Sequence, residues 1–351
     1  MKKIFKIILP LMLTFTVIFQ TGCTSDIKTK KDSGKISIVA TIFPPYDFAK
    51  HIAGDRANVK MLLPPGCESH SYEPSPADII EVSECDVFIY NGGDSDAWVD
   101  DILSSIDTSS IEIIKMTDCV ETIEEEVVEG MQENKHHHDH EHEDEHNDHE
   151  HEDEHNDHEH EDDHNDHKHE EEYDEPETDE HVWTSIRNSE KITSDICDAI
   201  CRKDEKNVSV YKENSSEYIK QMSDLDEEYK KLVENAKRKK IIFGDRFPFA
   251  YFAKDYGLTY YAAFVGCSSE TEASAETVAF LIDKVREDKI PVVFHIEFST
   301  HLIADTIADE TGAEVCELNS CHNISKKQIE NGVSYVDMMR ENMKTLKKAL
   351  Y

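Results

Sequence analysis

Residues 75–93 read SPADIIEVSECDVFIYNGG. Ser75 followed by Pro76 is a helix start: the hydroxyl accepts from backbone N–H groups of the first turn, and proline there gives up no hydrogen bond. That helix runs into an apolar strand, Asp86–Tyr90, closed by Asn91-Gly92-Gly93. The alternation continues on both sides. Residues 35–54 (KISIVATIFPPYDFAKHIAG) give a strand, a turn at Pro44-Pro45 and a helix ending at Gly54. NVKMLLPPG (58–66) is a second strand and loop, DAWVDDILSSI (96–106) a helix, and SIEIIKMTD (110–118) another strand. Strands that alternate with helices predict a parallel α/β sheet.

A second series begins at KKIIFG (239–244). It predicts strands at 240–244, 258–263, 290–296 and 313–318, with helices at 248–256, 271–288, 300–311 and 332–350. Between the two series lie NSEKITSDICDAICRKD (188–204) and a charged run at 207–235, both helical, the second long enough to bridge two lobes. The expected fold class is therefore α/β: two lobes with parallel sheets joined by one long rigid helix, with a ligand cleft between them. The expected division is 36–185 for the first lobe, 186–239 for the helical segment and 240–351 for the second lobe.

The first lobe carries an insert, 132–180, of another kind. The 351-residue chain has a formal charge of −39, and thirty acids against two lysines fall between Glu121 and Glu180. Within it DHEHEDEHN occurs twice in succession (139–156), so that H-E-x-x-H appears at His142, His151 and His160. That pattern serves a zinc protease only on a helix anchored by an apolar face, and 136–172 has no aliphatic or aromatic residue. The reading is a disordered tract that binds divalent cations weakly and exchangeably through His136, His137, His138, His140, His142, His146, His149, His151 and His155. Nucleic acid is a poor partner for such a charge balance.

The N-terminus has Lys2, Lys3 and Lys6, an apolar run Ile7–Phe19 and small residues before Cys23, the pattern of a secretory signal peptide at 1–22. Thr21-Gly22-Cys23 resembles a bacterial lipobox, which makes Cys23 the lipidated first residue of the mature chain and 23–35 its tether; Gln20 departs from the usual aliphatic residue there. Lipidation implies the extracytoplasmic face of the cell membrane. Eight cysteines remain after Cys23, with no C-x-x-C pair.

PPGCESHSYEPSPADI (64–79), DEHVWTSIRN (179–188) and YFAKDYGLTYYAAF (251–264) together resemble the zinc- and manganese-binding solute-binding lipoproteins of bacterial ABC importers, the ZnuA-like group, over Ile36–Leu350. The resemblance implies two α/β lobes and one metal between them, held mainly by histidine with one carboxylate. His70 and His181 match the first two family ligands. The third family histidine falls on Arg246, which has no lone pair to give, so that the neighbouring Asp245 becomes a candidate ligand and Arg246 a residue that orients a carboxylate. The fourth position, a carboxylate in the family, falls near Asn319; His322, three residues on, is the better donor. Glu297 and Glu270 are reserve carboxylates, His295 a structural strand residue, His51 and His301 ordinary helix residues, and Trp183 a lobe-interface packing residue. Cys267 and Cys321 lie in loops expected at the cleft. They are read as a disulfide that pins the His322 loop, with thiolate ligation by Cys67, Cys267 or Cys321 as the rival. Cys197 and Cys201 are read as a buried apolar pair.

What the resemblance implies is a monomeric, non-enzymatic receptor that captures Zn²⁺ and hands it to the membrane permease of an ABC importer. Mn²⁺ is the alternative cargo. From other classes, a metalloenzyme would keep an open coordination site on its zinc, and a surface adhesin or metal store would depend on the tract rather than the cleft.

Overall fold

Two four-stranded parallel sheets of the same strand order carry the chain in the computed structural model, which describes residues 34–68, 72–132, 177–268 and 272–351. Everything below belongs to the unit Ile36–Tyr351. In the first half come β1 (Ile36–Ala40), α1 (Phe43–Ala53), β2 (Ala57–Met61), α2 (Pro76–Glu84), β3 (Val87–Tyr90), α3 (Trp98–Ser105) and β4 (Glu112–Lys115). Their sheet has the order β2-β1-β3-β4. Two helices follow, α4 (Ile186–Lys203) and α5 (Val208–Glu234). The second half holds β5 (Lys240–Phe247), α6 (Ala250–Tyr256), β6 (Thr259–Val265), α7 (Ala275–Asp288), β7 (Val292–His295), α8 (Leu302–Thr311), β8 (Glu314–Glu317), α9 (Lys326–Glu330) and α10 (Tyr335–Leu350). Its sheet order is β6-β5-β7-β8. The α/β class and the long central helix expected from the sequence are both present.

Local chemistry explains the element starts. Ser75 caps α2 with a capping box to Asp78, and Ser325 and Ser334 do the same for α9 and α10. Pro44-Pro45 is not a turn: both prolines lie in the first turn of α1, where no intrahelical N–H is required of them. His301 is likewise not a helix residue but the left-handed N-cap of α8, φ 46°.

Helix α5, 27 residues long, spans about 40 Å at 1.5 Å per residue. It packs on α1, α4 and α10. Its buried Tyr218 donates to Asp47 of α1, its Tyr229 donates to the Met339 carbonyl of α10 at 2.5 Å, and Asp47 also accepts from the Tyr335 N–H at 3.1 Å. One apolar cluster thereby runs through both halves, while smaller clusters lie on the outer faces of the two sheets. Cys197 and Cys201 are buried and free, as an apolar pair would be. Among the described residues no helix is long and apolar enough to cross a membrane.

Gly244 lets β5 come close to α8: a Cβ there would lie 2.5 Å from the backbone Cα and N of Ala304. Gly244→Ala must push α8 outward, an overpacking change that costs about 1–3 kcal/mol. Urea unfolding should show a lower midpoint at an unchanged slope; an unaltered midpoint would show that α8 yields freely.

Candidate metal centre

Three strand ends of the second sheet and two segments of the first half converge. β5 ends in Asp245-Arg246-Phe247, β7 leads into Ile296-Glu297-Phe298, and β8 leads into the loop that carries His322. C-terminal ends of parallel strands are where such sheets bind ligands. The first half contributes Cys67-Glu68, after β2, and Asp179–Thr184, which leads into α4. Together they enclose a cavity of about 20 Å³, lined by Glu68, His181, Arg246, Glu297 and His322 among others. That is room for one ion or one water, not for an organic ligand.

His181 is the most firmly held of these groups. It is 1% exposed, and one oxygen of Asp179 accepts from both its backbone N–H (2.8 Å) and its ring Nδ1 (2.9 Å). A carboxylate on one ring nitrogen fixes the ring and raises the basicity of the other, as for metal-ligating histidines. Burial disfavours the imidazolium, but the Asp179 hydrogen bond and charge outweigh it, so that the His181 pKa is raised. Asp179 is itself anchored, its carbonyl accepting from Tyr251 at 2.6 Å.

The rings of His181 and His322 stand edge to face, centroids 6.0 Å apart, and Trp183 packs against both, at 5.3 and 4.9 Å. Trp183 is fully buried and its indole N–H donates to the Ser320 carbonyl at 2.8 Å, so it joins the two halves as well as backing the imidazoles. Glu297 holds the His322 loop. Its carboxylate accepts from the Ser320 N–H and hydroxyl, both at 2.6 Å, and from the His322 N–H at 3.2 Å. These bonds fix a loop in which Cys321 takes a left-handed backbone, φ 61°, a strained state for a non-glycine residue. Burial pushes the Glu297 carboxyl up to about 7, although its donors pull the other way.

Arg246 lines the cavity without being able to ligate. Its guanidinium meets Glu68 at 3.1 and 3.4 Å, a bidentate pair that ties the loop after β2 to β5. It orients a carboxylate, as expected, but the carboxylate is Glu68. Asp245 is not among the residues that line the cavity: one oxygen accepts from the Arg246 N–H and the other from the Ile296 N–H, bracing β5 against the end of β7. Asn319 is structural too, its side chain accepting from the Cys321 N–H at 2.8 Å. His295 bonds its own strand end through Nδ1.

The Cys267–Cys321 disulfide is also corrected, since both residues are free thiols. Cys321 is completely buried, its sulfur 3.8 Å from the Asn319 carbonyl, whereas Cys267 sits beside Glu180 and His181. The loop is pinned by Glu297 and Trp183 instead. His70, Glu270, Cys23 and the histidines of the tract lie outside the described residues. Reading the sequence missed Glu68, Asp179 and Glu180; Asp179, two residues before His181, was visible as a hydrogen-bond partner for that ring.

Residues 38–349 match the family described as ZnuA, zinc-uptake complex component A, periplasmic. The chain belongs to this family. Among its relatives is the high-affinity zinc uptake system protein ZnuA of Bacillus subtilis (strain 168), 32% identical over 316 residues that cover 90% of this chain and 88% of the relative. Another is the zinc-binding lipoprotein AdcA of Streptococcus pneumoniae, 28% identical over 338 residues. The match covers 96% of this chain but 60% of AdcA, so the chain spans less than two thirds of that relative's length. Among solved structures, the metal-dependent lipoprotein YcdH from B. subtilis superposes with a TM-score of 0.69 at 27% identity, covering 90% of this chain and 100% of YcdH. The Zn(II)-bound ZnuA-like domain of S. pneumoniae AdcA superposes with a TM-score of 0.67 at 26% identity, over 90% of this chain and 99% of that domain.

Proposed function

We propose that this ZnuA family member captures Zn²⁺ outside the cytoplasm, tethered through a lipid on Cys23, and releases it to the membrane permease of an ABC importer. The observation that carries the reading is the ion-sized cavity whose lining includes two buried imidazoles, His181 and His322, and the buried Glu297. Nitrogen donors with one carboxylate suit Zn²⁺ in a closed shell, and a carboxylate-dominated set would suit Mn²⁺ better. His70, two residues beyond Glu68, supplies the remaining donor in this proposal. The cavity leaves no room for a second reactant beside the ion, so the reading is binding without catalysis. The names of the B. subtilis and S. pneumoniae relatives support zinc as the cargo.

The test is metal analysis and competition titration of the mature chain with residues 136–172 removed. One zinc held tightly, and preferred over manganese, supports the proposal. Loss of nearly all bound metal with the tract makes the chain a surface store, and preference for manganese makes it a manganese receptor.

A further inference from the structure

Beside the cavity lies a second group of donors that shares one residue with its lining. Glu180, His181 and Cys267 each bring a ligand atom within 4.8 Å of the others. Of the three, only His181 lines the cavity. Cys267 is held by its backbone, whose N–H donates to the Glu125 carboxylate at 2.9 Å. Glu180 is 1% exposed and tightly packed: its Oε2 accepts from the Ser95 N–H at 3.1 Å, and a Cβ on Gly93 would clash with that carboxylate. Its other oxygen, Oε1, is buried with no hydrogen-bond partner among the described residues. A carboxylate oxygen shut away from water without a donor is costly, and a cation answers that cost directly.

We propose that Glu180, His181 and Cys267 form a second position for a divalent cation, one that bears a thiolate and adjoins the cavity through the shared imidazole. Zinc holds sulfur at about 2.3 Å and nitrogen or oxygen at about 2.0–2.2 Å, so donors this close together close on one ion with small side-chain adjustments. The thiol proton leaves to solvent as the sulfur–metal bond forms. Thiolate, imidazole and carboxylate together take Zn²⁺, Co²⁺ or Cd²⁺ and reject Mg²⁺, Ca²⁺ and Mn²⁺. The shared ring makes the two positions alternatives for a single ion rather than a pair. The position rests on residues that the capture proposal does not use, His181 excepted.

Cobalt(II) added to the full reduced chain reads this position selectively, because a thiolate-to-cobalt charge-transfer band in the near ultraviolet arises only from sulfur ligation. Nitrogen and oxygen donors of the histidine tract do not produce it. The band should appear in the parent chain, persist in Cys67→Ser and vanish in Cys267→Ser, whose folding is checked by its thermal transition. Glu180→Gln should require about tenfold more cobalt to develop the band, in line with the 10–100-fold effects of groups that support a metal site. It decides the matter if Cys267→Ser does not fold. His322→Ala, which weakens only the cavity, should leave the band in place. No band in cobalt-loaded parent chain, a band that survives Cys267→Ser or vanishes in Cys67→Ser, or an unchanged titration in Glu180→Gln overturns the proposal. So does loss of the band in His322→Ala, since sulfur would then be a donor to the cavity ion. Failure of the cobalt band leaves the zinc titration of the cavity as an independent result.

Discussion

His181→Ala should lower zinc affinity at least about a hundredfold, beyond the 10–100-fold typical of residues that merely support a ligand. In the proposed site the substitution removes one of about four donors, and it leaves the Asp179 carboxylate buried without its ring partner. His322→Ala should do comparable damage, since its imidazole faces the same cavity. Arg246→Ala should cost only about tenfold, because the guanidinium orients Glu68 and its loop but donates nothing to a metal. Competition titration of the chain without residues 136–172 ranks the three. An Arg246→Ala chain as impaired as His181→Ala would show that the Glu68 loop, not the imidazole, governs binding. The affinity should also fall with falling pH, because imidazole and carboxylate donate only when unprotonated. With His181 raised above its ordinary value and Glu297 pushed up to about 7, protons compete with zinc from neutrality downward.

The α/β architecture was legible because alternation of strand and helix is a local signal that each segment carries for itself, and both sheets followed from it. The candidate site was legible only where a lining residue also sits in a local motif, as His181 and His322 do. What failed was long-range pairing. Asp245 has the chemistry of a ligand, yet whether its oxygens face a cavity or the N–H groups of Arg246 and Ile296 depends on how β5 and β7 meet, 51 positions apart. Glu68 and Arg246 are 178 positions apart, and neither residue type announces the other. The two cysteines lie in loops after β6 and β8, the opposite edge strands of the second sheet, a separation that loop membership alone does not reveal. Pro44-Pro45 fits a turn and a first helical turn equally well until the strand before it is docked.

Trp183→Ala should destabilise the metal-free chain by about 3–5 kcal/mol, the usual cost of emptying a fully buried tryptophan site. The loss has two separable parts. The apolar part is the indole area packed between the halves, against His181 and His322. The polar part is the hydrogen bond to the Ser320 carbonyl, which becomes a buried acceptor without a donor, at about 1–3 kcal/mol. Trp183→Phe separates them: it refills most of the apolar volume and restores no N–H, so its stability should lie between those of the parent and the alanine variant. Both variants should weaken zinc binding as well, because Ser320 is also the residue through which Glu297 grips the His322 loop. Equilibrium unfolding in urea with metal removed measures the first effect, and the zinc titration measures the second. A Trp183→Ala chain within about 1 kcal/mol of the parent would mean that the other links between the halves, such as α5 and the Arg246–Glu68 pair, suffice to hold them. Full stability with weakened zinc binding in Trp183→Phe would assign the indole N–H to the site rather than to the fold. That outcome is the informative one, because an apolar ring at the interface contributes stability and packing by area, whereas the hydrogen bond to Ser320 ties the indole N–H specifically to the loop that carries His322.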